Sequence, residues 1–74
     1  MYVVFQSRFD ARTGRPYEHY WSGRVYTRPN GRVDATWIRN IKEAKKFETA
    51  RKAYDEAGEY GCLLAAKVGK RQAV

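Results

Sequence analysis

The sequence predicts a small α+β domain: an antiparallel sheet of β-β-β-α-β order with one main helix packed on one face. Three observations predict it. Segments 2–9 and 17–28 are rich in β-branched and aromatic residues and are separated by a polar loop. RPNGR joins the second segment to VDATWI at 33–38, and its proline, asparagine and glycine suit a tight hairpin. ARKAYDEA at 50–57 places Ala50, Ala53, Tyr54 and Ala57 at helical spacing, one apolar stripe that must cover a sheet face.

Each element has a local reason. In YVVFQSRF, residues 2–9, Val3, Phe5 and Phe9 fall on one face. DARTGRP, residues 10–16, is a loop punctuated by Gly14 and Pro16. In YEHYWSGRVYTR, residues 17–28, Gly23 marks a bulge or bend. Alternation sends Tyr17, His19, Trp21 and Val25 to one side, apolar enough to face the helix. It sends Glu18, Tyr20, Arg24, Tyr26 and Arg28 to the other, where Gln6 and Arg8 are expected to join them if the registers match. A bulge at Gly23 would flip part of this assignment.

Asn40 is placed to cap a helical turn in IKEAKKF, residues 41–47. Thr49 is placed to cap the main helix and Gly58 to close it. GCLLAAKV, residues 61–68, reads as the final strand. One domain is expected over 1–68, with GKRQAV at 69–74 as a flexible basic tail.

Size and composition narrow the function. At 74 residues the chain suffices for one domain with little room for a deep catalytic cleft. Hydrophobic content of 43% argues for a folded core. A single cysteine, Cys62, excludes an internal disulfide. MYVVFQSRF does not resemble a signal peptide, and no apolar stretch approaches the roughly 20 residues of a membrane span. The expectation is a cytoplasmic protein with no membrane partner, monomeric or weakly dimeric.

The net charge is +7, and its residue types are segregated. Residues 1–39 hold seven arginines and no lysine, whereas residues 40–74 hold all six lysines. Arginine presents a planar fork to phosphate or carboxylate and stacks on aromatic rings, so the N-terminal half is the better suited to specific anion contact.

Catalysis finds little support in the residue types. His19 shares a strand face with Tyr17 and Trp21, as a packed ring would, and Cys62 opens an apolar run as a small hydrophobe. These two residues are too few for a zinc site, which takes about four ligands. No glycine-rich phosphate loop is present. The expectation is a non-enzyme without cofactor or metal.

The informative feature is the mixture of tyrosine and arginine on one sheet face. Arg8, Tyr20, Arg24, Tyr26, Arg28 and Arg32 form the expected partner-binding set, with Arg12 and Arg15 as extensions from the loop. Arginine forks and tyrosine rings serve nucleic acid and acidic protein surfaces alike. The mixed charges at Glu43, Lys45, Lys46, Glu48, Arg51, Lys52, Asp55 and Glu56 read as a salt-bridged outer helix face.

The stretch Tyr20 to Ala57, 38 of the 74 residues, resembles a pattern of small phage and prophage proteins. Its marks here are a hairpin ending in Trp37, IKEAKKF from Ile41 to Phe47, and Thr49 capping a helix with Ala50, Ala53 and Ala57 on one face. In outline the chain is similar to anti-CRISPR proteins: small, a sheet with one helix, no enzyme motif. That resemblance implies an inhibitor that occludes a CRISPR effector in a bacterial host cell where nucleic acid would bind. Many such inhibitors are acidic. A basic one would bind acidic patches of a large host protein or ribonucleoprotein, or the nucleic acid within the complex. The alternative expectation is a module that binds DNA or RNA directly.

Overall fold

The computed structural model describes residues 1–71 of the chain. Four strands, β1 (Tyr2–Phe9), β2 (Pro16–Thr27), β3 (Val33–Ile38) and β4 (Lys67–Lys70), form one antiparallel sheet in the order β3-β2-β1-β4. One helix, α1 (Ala50–Glu59), and two 3₁₀ turns, Ile41–Glu43 and Gly61–Leu63, complete the fold. The α+β class is the one the residue pattern predicts.

Two loops set the registers. In the first, Gly14 N–H donates to Asp10 O and Asp10 N–H to Arg15 O. Phe9 then stands opposite Pro16, and Arg8 opposite Tyr17. In the second, Gly31 N–H donates to Arg28 O and Arg28 N–H to Arg32 O. Gly31 takes the left-handed conformation (φ 85°) that completes the Pro29–Asn30 turn.

Between Trp21 and Val25 the β2–β3 register shifts, so that Ser22, Gly23 and Arg24 stand opposite the single Thr36. Gly23 sits at φ 87°, and a Cβ there would lie 3.1 Å from Lys45 Cδ. β2 parts from β1 here, since their pairing ends at Phe5 and Tyr20. Residues 45–47 fill the opening. Lys45 N–H donates to Trp21 O at 2.9 Å, and Phe47 exchanges two backbone hydrogen bonds with Tyr2 at 2.8 Å each. Beyond the bulge, residues 23–33 form an exposed two-stranded arm.

The main core lies between α1 and the sheet. Ala53 and Ala57 bury their methyl groups against Val4, Trp21, Phe47 and Leu63. Small side chains bring the helix close to the Trp21 indole, whose Nε1–H donates to Glu56 Oε2 at 2.6 Å. Tyr60 tilts against the same ring at 5.6 Å. The two expected caps are present: Asn40 Oδ1 accepts from Lys42 N–H at 3.0 Å, and Thr49 Oγ1 from Lys52 N–H at 3.2 Å.

Several expectations need correction. The second sheet face is not bare along β1. Val3 and Phe5 are buried with Ala44 and Tyr20, and the Arg71 guanidinium lies 4.1 Å from the Phe5 ring centroid. Phe9 leaves their company and is 75% exposed, because neither Ala44 nor Arg71 reaches the end of β1. Val25 lies past the bulge on the arm, and Tyr54 points to solvent.

Gly58 does not stop α1. It has no positive φ, and the Tyr60 N–H still finds Glu56 O at 3.0 Å. Residues 61–68 are not one strand. Leu63 turns inward to plug the core, and pairing with β1 begins only at Lys67. Gly69, Lys70 and Arg71, expected in the tail, therefore belong to the fold. Lys70 pairs with Tyr2, and Arg71 grips Glu18 through Nε and Nη2 at 3.0 and 2.9 Å. Residues 72–74 of the expected tail lie outside the described residues.

Trp21→Ala is expected to destabilise the domain by about 3–5 kcal/mol, a large share of a small domain's total. A chemical-denaturation midpoint measures it. A change below 1 kcal/mol would contradict the placement of the core.

Candidate functional site

α1 covers only part of its side of the sheet. Past Val4 and Trp21 the same face carries Gln6, Arg8, Tyr17, His19, Trp37 and Arg39. The register decides this, since Gln6 stands opposite His19, Arg8 opposite Tyr17 and Trp37 opposite Trp21. Gln6 and Arg8 are thus on the helix side, not on the Tyr20 side where alternation with a matched register had put them.

These groups are layered. The Arg39 guanidinium lies 3.8 Å from the Tyr17 ring centroid. His19 stacks on Trp37 with centroids 4.6 Å apart and planes 14° from parallel. Tyr17 meets His19 edge-on at 6.2 Å. Gln6 Oε1 accepts from Arg8 Nη2 and from His19 Nε2, each at 3.0 Å, which places the proton of the neutral imidazole on Nε2.

The exposed arm completes the site. A bulged two-stranded ribbon twists strongly. Here it brings Tyr26, Arg28, Arg32 and Asp34 to the edge of a concavity of about 340 Å³ that Gln6, Arg8, Ala35, Trp37 and Cys62 also line. Three guanidiniums, two aromatic rings and one carboxylate meet there. The hollow is shallow and basic, suited to an extended anionic chain.

The expected partner-binding residues divide among three places. Arg8, Tyr26, Arg28 and Arg32 come together at the concavity. Arg24 lines a separate hollow with Ser22, Thr36, Ile38 and Glu43, because the bulge lies between. Tyr20 is half-buried on the opposite face, packs on Val3 and Phe5 and donates to Glu18 Oε1 at 3.3 Å. Its surroundings make it a packing residue. Arg12 and Arg15 are exposed in the β1–β2 loop, their backbone N–H groups donating to Asp10 Oδ1 and Thr13 Oγ1. Sequence reasoning missed Asp34, Trp37, Arg39 and Cys62 as members or neighbours of the site, and it placed Gln6 beside Arg8 but on the other sheet face. The β1–β2 register that places Gln6 and Arg8 is set by the hydrogen bond from Asp10 N–H to Arg15 O, which the residue types of the loop do not announce.

Among the described residues, no cluster of three metal-ligating His, Cys, Asp or Glu side chains forms, and no helix is long and apolar enough to cross a membrane.

Two groups make folding sensitive to acid. Burial, and then Arg8 and Arg39 nearby, hold the His19 ring below its ordinary pKa. The unfolded ring takes a proton at about pH 6.5 and the folded one only at lower pH, so stability falls as pH drops through that window. Hydrogen bonds from Arg71 hold the Glu18 carboxyl below the usual carboxylate range, against the opposing effect of burial. Its contribution is present above the unfolded carboxylate value and is lost as pH falls through the lower folded value. Melting temperature is therefore expected to decline from pH 7 to 5, and His19→Gln to flatten that part of the curve. A profile unaffected by His19→Gln would contradict the assignment.

No protein-family model matches this chain, and neither a curated protein nor a solved structure matches it.

Proposed function

We propose that this protein is a small, non-enzymatic module that binds single-stranded nucleic acid across the open half of its helix-side sheet face. The observation that carries the reading is the convergence of Arg8, Arg28 and Arg32 with Tyr26 and Trp37 around one shallow concavity. Guanidiniums pair with successive phosphates, and aromatic rings accept unstacked bases at about 1–3 kcal/mol per base. His19 stacked on Trp37 holds that ring in a fixed orientation, so it has little rotamer freedom left to lose on binding. The formal charge of +7 adds long-range attraction.

A second reading has its own support. The arm displays Arg24, Tyr26, Arg28 and Arg32 in the open, and tyrosine and arginine are frequent anchors of protein interfaces. Together with the outline resemblance to anti-CRISPR proteins, this favours an inhibitor that grips an acidic surface of a CRISPR effector in the bacterial cytoplasm.

Fluorescence anisotropy with labelled oligothymidylate over a salt series separates the two. The first reading expects binding whose log–log salt slope is about −2, three phosphate contacts at roughly −0.7 each. The triple variant Arg8→Ala, Arg28→Ala, Arg32→Ala is expected to lose most of that slope and keep its fold, since exposed charges add little stability. No binding at 20 mM salt, on the order of a tenth of physiological ionic strength, would sink the nucleic-acid reading. Capture of a purified CRISPR effector complex by the same protein would then support the second.

A further inference from the structure

We infer that the ends of the hairpin loop form a phosphate subsite between Arg28 and Arg32, and that Asp34 occupies it in the free protein. The inference rests on the nucleic-acid reading and deepens it. Arg28 and Arg32 flank the three-residue loop and are tied together by the backbone hydrogen bond from Arg28 N–H to Arg32 O. Their side chains converge on one carboxylate. Arg28 Nε donates to Asp34 Oδ2, and Arg32 Nε lies 3.5 Å from Oδ1. Each carboxylate oxygen thus faces a different guanidinium. The Asp34 side chain is 19% exposed, whereas those of Arg28 and Arg32 are 51% and 71% exposed. The acid is drawn in while both forks keep open sides towards solvent.

A phosphodiester presents two anionic oxygens that guanidinium forks grip as they grip a carboxylate. Asp34 therefore mimics the group that the arm binds. Among the described residues it is the one acidic residue lining the concavity, and Arg8, which lines the same hollow, has Gln6 rather than an acid as partner. Arg8 takes the first phosphate directly. The next phosphate along the strand replaces Asp34 between Arg28 and Arg32, and the displaced carboxylate turns to water. Carboxylate polymers gain less from this exchange, because they offer the arginines only what Asp34 already supplies. Asp34 thus competes with incoming anions for the arginine pair and lowers its affinity for them.

The test compares wild type and Asp34→Asn for binding to oligothymidylate and to oligoglutamate of equal charge. Asp34→Asn is expected to bind oligothymidylate about 3- to 10-fold more tightly, the size of effect that one or two exposed ion pairs carry. Wild type is expected to prefer oligothymidylate to oligoglutamate, and the variant to narrow that preference. Equal or weaker binding by Asp34→Asn would overturn the inference, because Asp34 would then be aligning the arginines for the ligand. A measurement on wild type guards against a misfolded variant. On saturation with oligothymidylate, the Asp34 carboxyl carbon resonance is expected to move to the position of an unpaired carboxylate while the Arg28 and Arg32 Nε signals shift. A stationary Asp34 resonance beside a shifting Arg8 signal would also overturn the inference. Failure of the underlying reading looks different, since then neither protein binds oligothymidylate at low salt.

Discussion

The structure depends on how the Trp21 indole is buried. The ring carries one polar group, and an unpaired N–H in the core would be costly. Glu56 of α1 supplies the acceptor, and Lys45 neutralises that carboxylate from the chain segment beside it. The same Lys45 donates its backbone N–H to Trp21 O. Helix, sheet and connecting segment are thus tied at one residue. An acid drawn towards the interior is tolerated there because its two oxygens have separate partners.

That arrangement determines where the site can be. Lys45 must reach β2 at Trp21, where β1 would otherwise pair, so β2 has to leave β1 just after Tyr20. The extra residues at Ser22–Arg24, with Gly23 in a conformation other residues avoid, make the departure. The strand beyond becomes an arm without a covering layer. On the other side of Trp21, the ten-residue helix leaves the end of its sheet face open. Arm and open face meet at the concavity.

Local chemistry was the readable part of this molecule. The Pro-Asn-Gly hairpin, the caps at Asn40 and Thr49 and the bulge at Gly23 each follow from a few adjacent residues, and each was legible in the sequence. Relations between distant segments were not. Whether Arg8 shares a face with Tyr17 or with Glu18 turns on one residue of register, set by how Asp10 and Arg15 close their loop. Coverage of Val3 and Phe5 by Ala44 and Arg71 joins residues far apart in sequence. The same limit explains the site. Four of its arginine and tyrosine members were recognisable by residue type, but Tyr20 and Arg24 could be separated from them only by three-dimensional placement. Asp34 and Trp37 looked like ordinary strand residues.

The proposed binding surface is the uncovered half of the helix-side face together with the arm. Mapping by two-dimensional NMR during titration with oligothymidylate tests it most directly. Shifts are expected at the Trp37 indole N–H, at Tyr26 and at the side chains of Arg8, Arg28 and Arg32, with little change along α1 or β4. Shifts concentrated on the Tyr20 face, or on the lysines of α1 and β4, would contradict it.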